Sequence, residues 1–239
     1  MSFLRSLFGR RGGGTPAVPP AAAAVAAWVA LPPSDLRVPL SSQRWLVVDV
    51  ETTGLNMRQD RLLAIGAVVV DGRDLCFDQS CEVVIRQAAA SDTDNLLIHR
   101  IAGSEQLQGV DAAEALAAFL AFAGKLPCVA FHASFDEAML RRAVQEHLGI
   151  EFDIPFIDLA HLAPALVREA PPKLNSLDDW VGHFSIEITS RHRAVADAVG
   201  TAQLLQVLLW RAAAQAIPSA DALFKMAREQ RWLAGLGRR

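Results

Sequence analysis

At 239 residues the chain has room for one full-sized α/β domain with extra segments, and not for two large domains. Hydrophobic residues make up 52% and charged residues 21%, which provides for a substantial core and excludes global disorder. The formal net charge of −3 offers no general attraction to a polyanion. That argues against a protein that coats long nucleic acids, and leaves room for one that grips only a strand end.

The first 43 residues differ from the rest. Met1–Arg11 is short, basic and partly apolar, and a Gly/Pro-rich break follows over Gly12–Pro20. Ala21–Leu31 is an apolar run that ends at Pro32 and Pro33. It falls short of the roughly 20 apolar residues needed to cross a bilayer. The break separates the charges from the apolar run, so a cleaved signal peptide is a poor reading too. The expectation is a flexible arm and a short docking helix over residues 1–43, without a membrane role. Cys76, Cys81 and Cys128 form no CxxC pair and suit a reducing, cytoplasmic compartment as small core residues.

From Arg44 the pattern is regular. Trp45–Val50, Leu62–Val70 and Leu75–Ile85 read as strands, and tight turns at Thr53-Gly54 and Asp71-Gly72 would pair them antiparallel. Asp111–Ala123 has helical spacing, Pro127–Phe131 is a short buried strand, and Phe135–Leu148 is an amphipathic helix closed by Gly149. Ile154–Leu159 is a last short strand. Helices are expected at Ala160–Arg168, Leu177–His183 and Ala194–Ala214, and a short helix with a basic end at Ile217–Arg239. Three strands followed by alternating helices and strands make an α/β fold with a mixed sheet flanked by helices. The main domain is placed at 44–214, with a helical extension over 215–239.

The sharpest local signal is Asp49-Val50-Glu51-Thr52-Thr53-Gly54. Side chains alternate across a strand, so Asp49 and Glu51 share a face. Two carboxylates that close repel unless a cation sits between them, and hard divalent ions such as Mg²⁺ accept an oxygen-only surrounding. Thr52, Thr53 and Gly54 add hydroxyl and backbone N–H groups at the same edge. Downstream, His132-Ala-Ser-Phe-Asp136 joins a strand to a helix, with Asp136 in the first turn, where the helix dipole favours an anion. In Arg191-His192-Arg193-Ala194-Val195-Ala196-Asp197, five helical residues turn the chain by about 500°. His192 and Asp197 therefore reach one site only if His192 lies in the loop before the helix. Val195, Val199, Ala202, Leu205 and Leu209 give that helix an apolar side.

In this order and spacing, the three motifs resemble those of the DnaQ-like exonucleases with four acidic residues and one histidine, the DEDDh group, which includes the proofreading epsilon subunit of bacterial DNA polymerase III. The resemblance spans about Arg44 to Ala214. It implies an RNase H-like fold, 3′-to-5′ exonuclease activity and two Mg²⁺ or Mn²⁺ ions. Asp49, Glu51, Asp136 and Asp197 would be the metal-holding residues and His192 the general base. Ile98-His99-Arg100-Ile101 resembles a family segment whose histidine touches substrate, and Asp94, five residues earlier, is expected to touch it likewise. Asn175-Ser176-Leu177 also resembles a family signature. There are departures. His132 stands where the family usually has Asn, and Ala64 where proofreading subunits tend to carry Glu. Gln230-Arg231-Trp232-Leu233 is a poor clamp-binding segment, so a stand-alone enzyme similar to the proofreading subunit fits better.

The expected reaction hydrolyses a phosphodiester at a free 3′ end, single-stranded DNA being favoured, and releases nucleoside 5′-monophosphates. Leu55, beyond the Gly54 turn, and Phe135, beside Asp136, are candidates for contacting the terminal base, a sequence-tolerant contact. Two other readings stay open: a ribonuclease of the same group acting on RNA ends or short oligoribonucleotides, and a non-catalytic module that binds a strand end or a partner. The N-terminal arm or the C-terminal extension would be the route to a protein partner.

Overall fold

The computed structural model describes residues 21–89, 101–188 and 193–236. Its centre is a five-stranded sheet of order β3-β2-β1-β4-β5, formed by β1 (Arg44–Thr52), β2 (Leu62–Asp71), β3 (Asp74–Val84), β4 (Cys128–Ala130) and β5 (Phe156–Asp158). β1, β2 and β3 pair antiparallel, while β1–β4 and β4–β5 are parallel. This is the mixed, RNase H-like sheet that the motifs implied.

Alternation along β1 divides the core. Leu46, Val48 and Val50 point into one apolar cluster, and Trp45 and Val47 into the other. The first cluster is closed by α1 (Ala21–Val29), α3 (Ala112–Ala123) and α4 (Ser134–Leu148). The second is closed by α5 (Leu159–Leu166), α6 (Leu177–His183), α7 (Ala194–Ala214) and α8 (Ala220–Leu236). A short helix, α2 (Gly103–Leu107), was not anticipated.

Local chemistry sets the ends of these elements. The Asp111 carboxylate accepts from Ala113 N at the start of α3. Gly149, at φ 69°, closes α4 in the left-handed region expected of a C-terminal glycine. Gly72, at φ 58°, makes the two-residue β2–β3 turn that Asp71-Gly72 foretold. Thr53-Gly54, by contrast, is not a tight turn. β1 and β2 are joined by residues 53–61, and the loop has its own internal bonding. β4 and β5 are each three residues long, shorter than the apolar runs that announced them, because the flanking residues leave the ladder to start turns and helices.

Both flanking helices join the core. Trp28 of α1 is buried against Phe152, its indole N–H donates to Gly124 O at 2.5 Å, and Lys125 Nζ lies 3.3 Å from its ring centroid. Ala220, Leu223 and Ala227 of α8 pack into the second cluster. α8 runs 17 residues, longer than the short helix expected there.

Candidate active site

β1 outruns its parallel neighbour. β4 pairs only with Leu46 and Val47, so the later residues of β1 have no β4 partner, although pairing with β2 continues to Thr52. At this open edge lie Asp49 and Glu51, both half-buried on the sheet face covered by α7. The Val50 N–H between them needs an acceptor. It donates to Asp136 Oδ1 at 3.1 Å. The third carboxylate thus joins the strand between the first two, reaching the sheet edge from the start of α4.

Asp197, in the first turn of α7, completes the set. Asp49, Glu51 and Asp197 each offer an oxygen within 4.8 Å of the others, and Asp197 is 5% exposed. Gly66 makes this approach geometrically available. It lies opposite Asp49 in the β1–β2 register, and a Cβ there would fall 2.0 Å from the Ala194 carbonyl carbon. Only glycine lets the start of α7 settle onto the sheet beside Asp49. Arg193 secures the same end through a 2.7 Å bond to Glu82 on β3, and Glu82 also accepts from Val195 N at 3.4 Å. That pair, with Glu105 of α2 3.6 Å from the Arg193 guanidinium, holds the Arg193 pKa above its usual value.

Asp136 titrates abnormally. Burial raises its pKa to about 7 despite bonds from its own backbone N–H and from Val50 N, and the negative charge of Asp158 adds to the rise. A buried carboxyl of this kind, next to three gathered carboxylate oxygens, is costly in isolation. A hard divalent cation would relieve that cost, and the oxygen-only donor set fits one.

The expected residues are placed as follows. Asp49, Glu51 and Asp197 are gathered in one group, and Asp136 adjoins it through Val50 N. Thr52 Oγ1 donates to Gly54 O at 2.7 Å and Thr53 Oγ1 to Asp60 Oδ1 at 2.9 Å, so both hydroxyls brace the β1–β2 loop. Leu55 is 86% exposed on that loop, and Phe135 is partly buried against the first cluster. His192, Asp94 and His99 lie outside the described residues. Val195 and Val199 are half-buried, whereas Ala198, Ala202, Leu205 and Leu209 form the covered side of α7.

The two departures from the family pattern have local explanations. His132 sits at φ 59°, a left-handed position that asparagine adopts more readily than histidine. Its backbone N–H donates to Asp158 Oδ1 at 2.9 Å, and its ring Nε2 lies 3.1 Å from Asn175 O. His132 therefore joins the β4–α4 turn to the Asn175-Ser176 segment, where Ser176 caps α6. Ala64, opposite Glu51, is fully buried with Leu63, Ile101 and Ala194, where a small side chain fits under the start of α7. Sequence reasoning missed Gly66, Glu82, Asp60 and Arg142. An isolated glycine inside a strand was the available sign for Gly66; the others act through contacts that no local pattern announces.

Comparison with known proteins agrees with this geometry. The exonuclease family (RNase_T) matches residues 46–205. The PolC-type DNA polymerase III of Bacillus subtilis strain 168 is 30% identical over 185 residues, covering 77% of this chain and 13% of that protein. Its counterpart from Thermotoga petrophila is 30% identical over 166 residues, covering 67% and 11%. The chain therefore spans only a small part of the curated relatives it matches. Among solved structures, E. coli Exonuclease I in complex with a dT13 oligonucleotide superposes with a TM-score of 0.61 at 18% identity, covering 73% of this chain and 42% of that one. Exonuclease X in complex with 5′ overhanging duplex DNA gives 0.60 at 20% identity, covering 77% and 99%. With its acidic cluster at the end of β1 and its RNase H-like sheet, the chain belongs to the exonuclease family, as a DnaQ-like 3′-to-5′ exonuclease domain.

Proposed function

We propose that the protein is a metal-dependent enzyme that removes nucleoside 5′-monophosphates from the 3′ ends of DNA, with single strands favoured, and that it works as a proofreading-subunit-like enzyme in its own right. The observation that carries this reading is the meeting of Asp49, Glu51 and Asp197 within 4.8 Å, with Asp136 tied to the backbone between the first two. The solved neighbours bound to a single-stranded oligonucleotide and to overhanging duplex DNA support the choice of substrate.

Asp49, Glu51 and Asp197 would hold a divalent cation, and Asp136 would serve a second. Bound Mg²⁺ or Mn²⁺ supplies charge neutralisation at the phosphate and acidifies an attacking water. The chain's own contributions are separable. The β1 carboxylates would fix where the cation rests, because the strand under them is paired to β2 from Arg44 to Thr52. His192, one residue before Arg193 in the sequence, would accept the water's proton, a task suited to an imidazole that titrates near neutrality. Leu55 and Phe135 would contact the terminal base, and Asp94 and His99 the strand behind it. A protein partner would be engaged through the N-terminal arm or the end of α8, where Trp232, Leu233 and Leu236 are exposed.

The test is digestion of end-labelled single-stranded DNA, duplex DNA and RNA in Mg²⁺, Mn²⁺ or EDTA. Stepwise shortening from the 3′ end with monophosphate products, abolished by EDTA, is expected. Cleavage that persists in EDTA would overturn the metal-dependent reading, and faster digestion of RNA would replace the substrate. His192→Ala is expected to lower kcat far more than substrate affinity; an equal loss of both contradicts its role as base.

A further inference from the structure

Resting on that reading, we infer that Asp60 and Arg142 are positioning residues that hold the β1–β2 loop as a fixed wedge against the terminal base, and so determine how tightly a strand end is gripped. The loop leaves β1 directly after the acidic motif, and Leu55 and Met57 stand 86% and 47% exposed on it. A nine-residue connection with exposed apolar tips would ordinarily be mobile. Here it is tied down from inside and outside.

Inside, Asp60 acts as the hub. Its carboxylate accepts from Thr53 Oγ1 at 2.9 Å and from Asn56 N at 2.8 Å, while Asp60 N donates to Asn56 O at 2.8 Å. Thr53 Oγ1 in turn accepts from Arg61 N at 2.9 Å. The carboxylate fills the space beside Gly54, where an added Cβ would meet Asp60 Oδ2 at 2.6 Å. Leu55 thus follows a glycine pressed against the hub. Outside, the Arg142 guanidinium donates to the carbonyl oxygens of Met57 and Asp60. Arg142 sits on α4, the helix that carries Asp136 to Val50 N. One helix therefore holds both a carboxylate of the site and the backbone of the β1–β2 loop. The planar fork of Arg suits two carbonyls at once, and Lys would not replace it.

The experiment compares Asp60→Asn, Arg142→Gln and Leu55→Ala with wild type on a single-stranded DNA oligonucleotide and on bis(4-nitrophenyl) phosphate, a diester with no base to grip. Circular dichroism and the melting temperature establish that each variant is folded. For Asp60→Asn and Arg142→Gln, KM for DNA is expected to rise about tenfold while kcat stays within about twofold, the scale of one weakened base contact. Hydrolysis of the base-free diester should stay within about twofold of wild type. Combining Arg142→Gln with Leu55→Ala should add little to either change alone, since both act through the same wedge. Unchanged KM for DNA in both folded variants, equal losses on the two substrates, or fully additive effects in the combined variant would overturn the proposal. Failure of the wild type to cleave either substrate would overturn the exonuclease reading instead.

Discussion

Along β1, the first half and the second half meet different surroundings. Trp45, Leu46 and Val47 are fully buried, with β2 on one side and the Leu46 and Val47 pairing to β4 on the other. Past Val47 the β4 side is open, and there the strand carries Asp49 and Glu51 and lends the Val50 N–H to Asp136. The difference teaches how a sheet makes a site without a dedicated cavity. A short neighbour strand frees backbone donors, the pleat puts alternate carboxylates on one face, and a glycine on the opposite strand lets a helix bring another.

The largest test of this division is Asp49→Ala, which should lower kcat by on the order of a thousandfold or more. Removing one of several crowded anions should leave the melting temperature of the metal-free protein unchanged or raised. A variant that keeps its activity breaks the account of the second half. Next in size is the pH response of Asp136. Its folded pKa of about 7 lies above the ordinary aspartate value of 3.8, so the native state holds the proton more tightly than the unfolded chain. The stabilisation is complete below about pH 4 and is lost as pH rises towards 7, with no further loss above that. The metal-free protein should therefore lose on the order of a few kcal/mol between pH 4 and 7 at this group, and Asp136→Asn should flatten that slope. An Asp136→Asn variant whose stability follows pH with the same slope as the wild type would contradict the burial of this carboxyl.

In the first half of the strand the consequences are reversed. Val47→Ala should destabilise the fold by about 2 kcal/mol through a lost contact and a residual cavity, with kcat per folded molecule unchanged. Loss of turnover in the folded variant would show that the halves are coupled. Smallest is Arg44→Ala, which removes a half-exposed pair with Asp71 at 3.4 Å and should cost under about 1 kcal/mol in chemical denaturation, with no effect on activity.

Much of this is legible in the amino-acid sequence. The apolar run ending in Asp49-Val50-Glu51 states both a strand and a shared face, because the period of two is fixed by the backbone. Asp158 reads as a helix cap, and it does accept from Ala160 N. Its second bond, to His132 N, joins the ends of two parallel strands and cannot be foreseen from either segment. The same limit hides the acceptor for Val50 N, the Glu82–Arg193 pair and the Arg142 fork, each a contact between positions far apart in sequence. The apolar run Pro127–Phe131 is longer than the strand Cys128–Ala130 because an apolar run records burial and not pairing. Thr53-Gly54 has the residues of a tight turn but does not form one, because the bonding of the loop depends on Asp60, six residues beyond Gly54.

Titration calorimetry of Mn²⁺ into the metal-free protein bears most directly on the converging carboxylates. The wild type should bind with a clear heat that vanishes in Asp49→Ala and Asp197→Ala, both still folded. Equal Mn²⁺ affinity in those variants would mean that these side chains do not form the metal site.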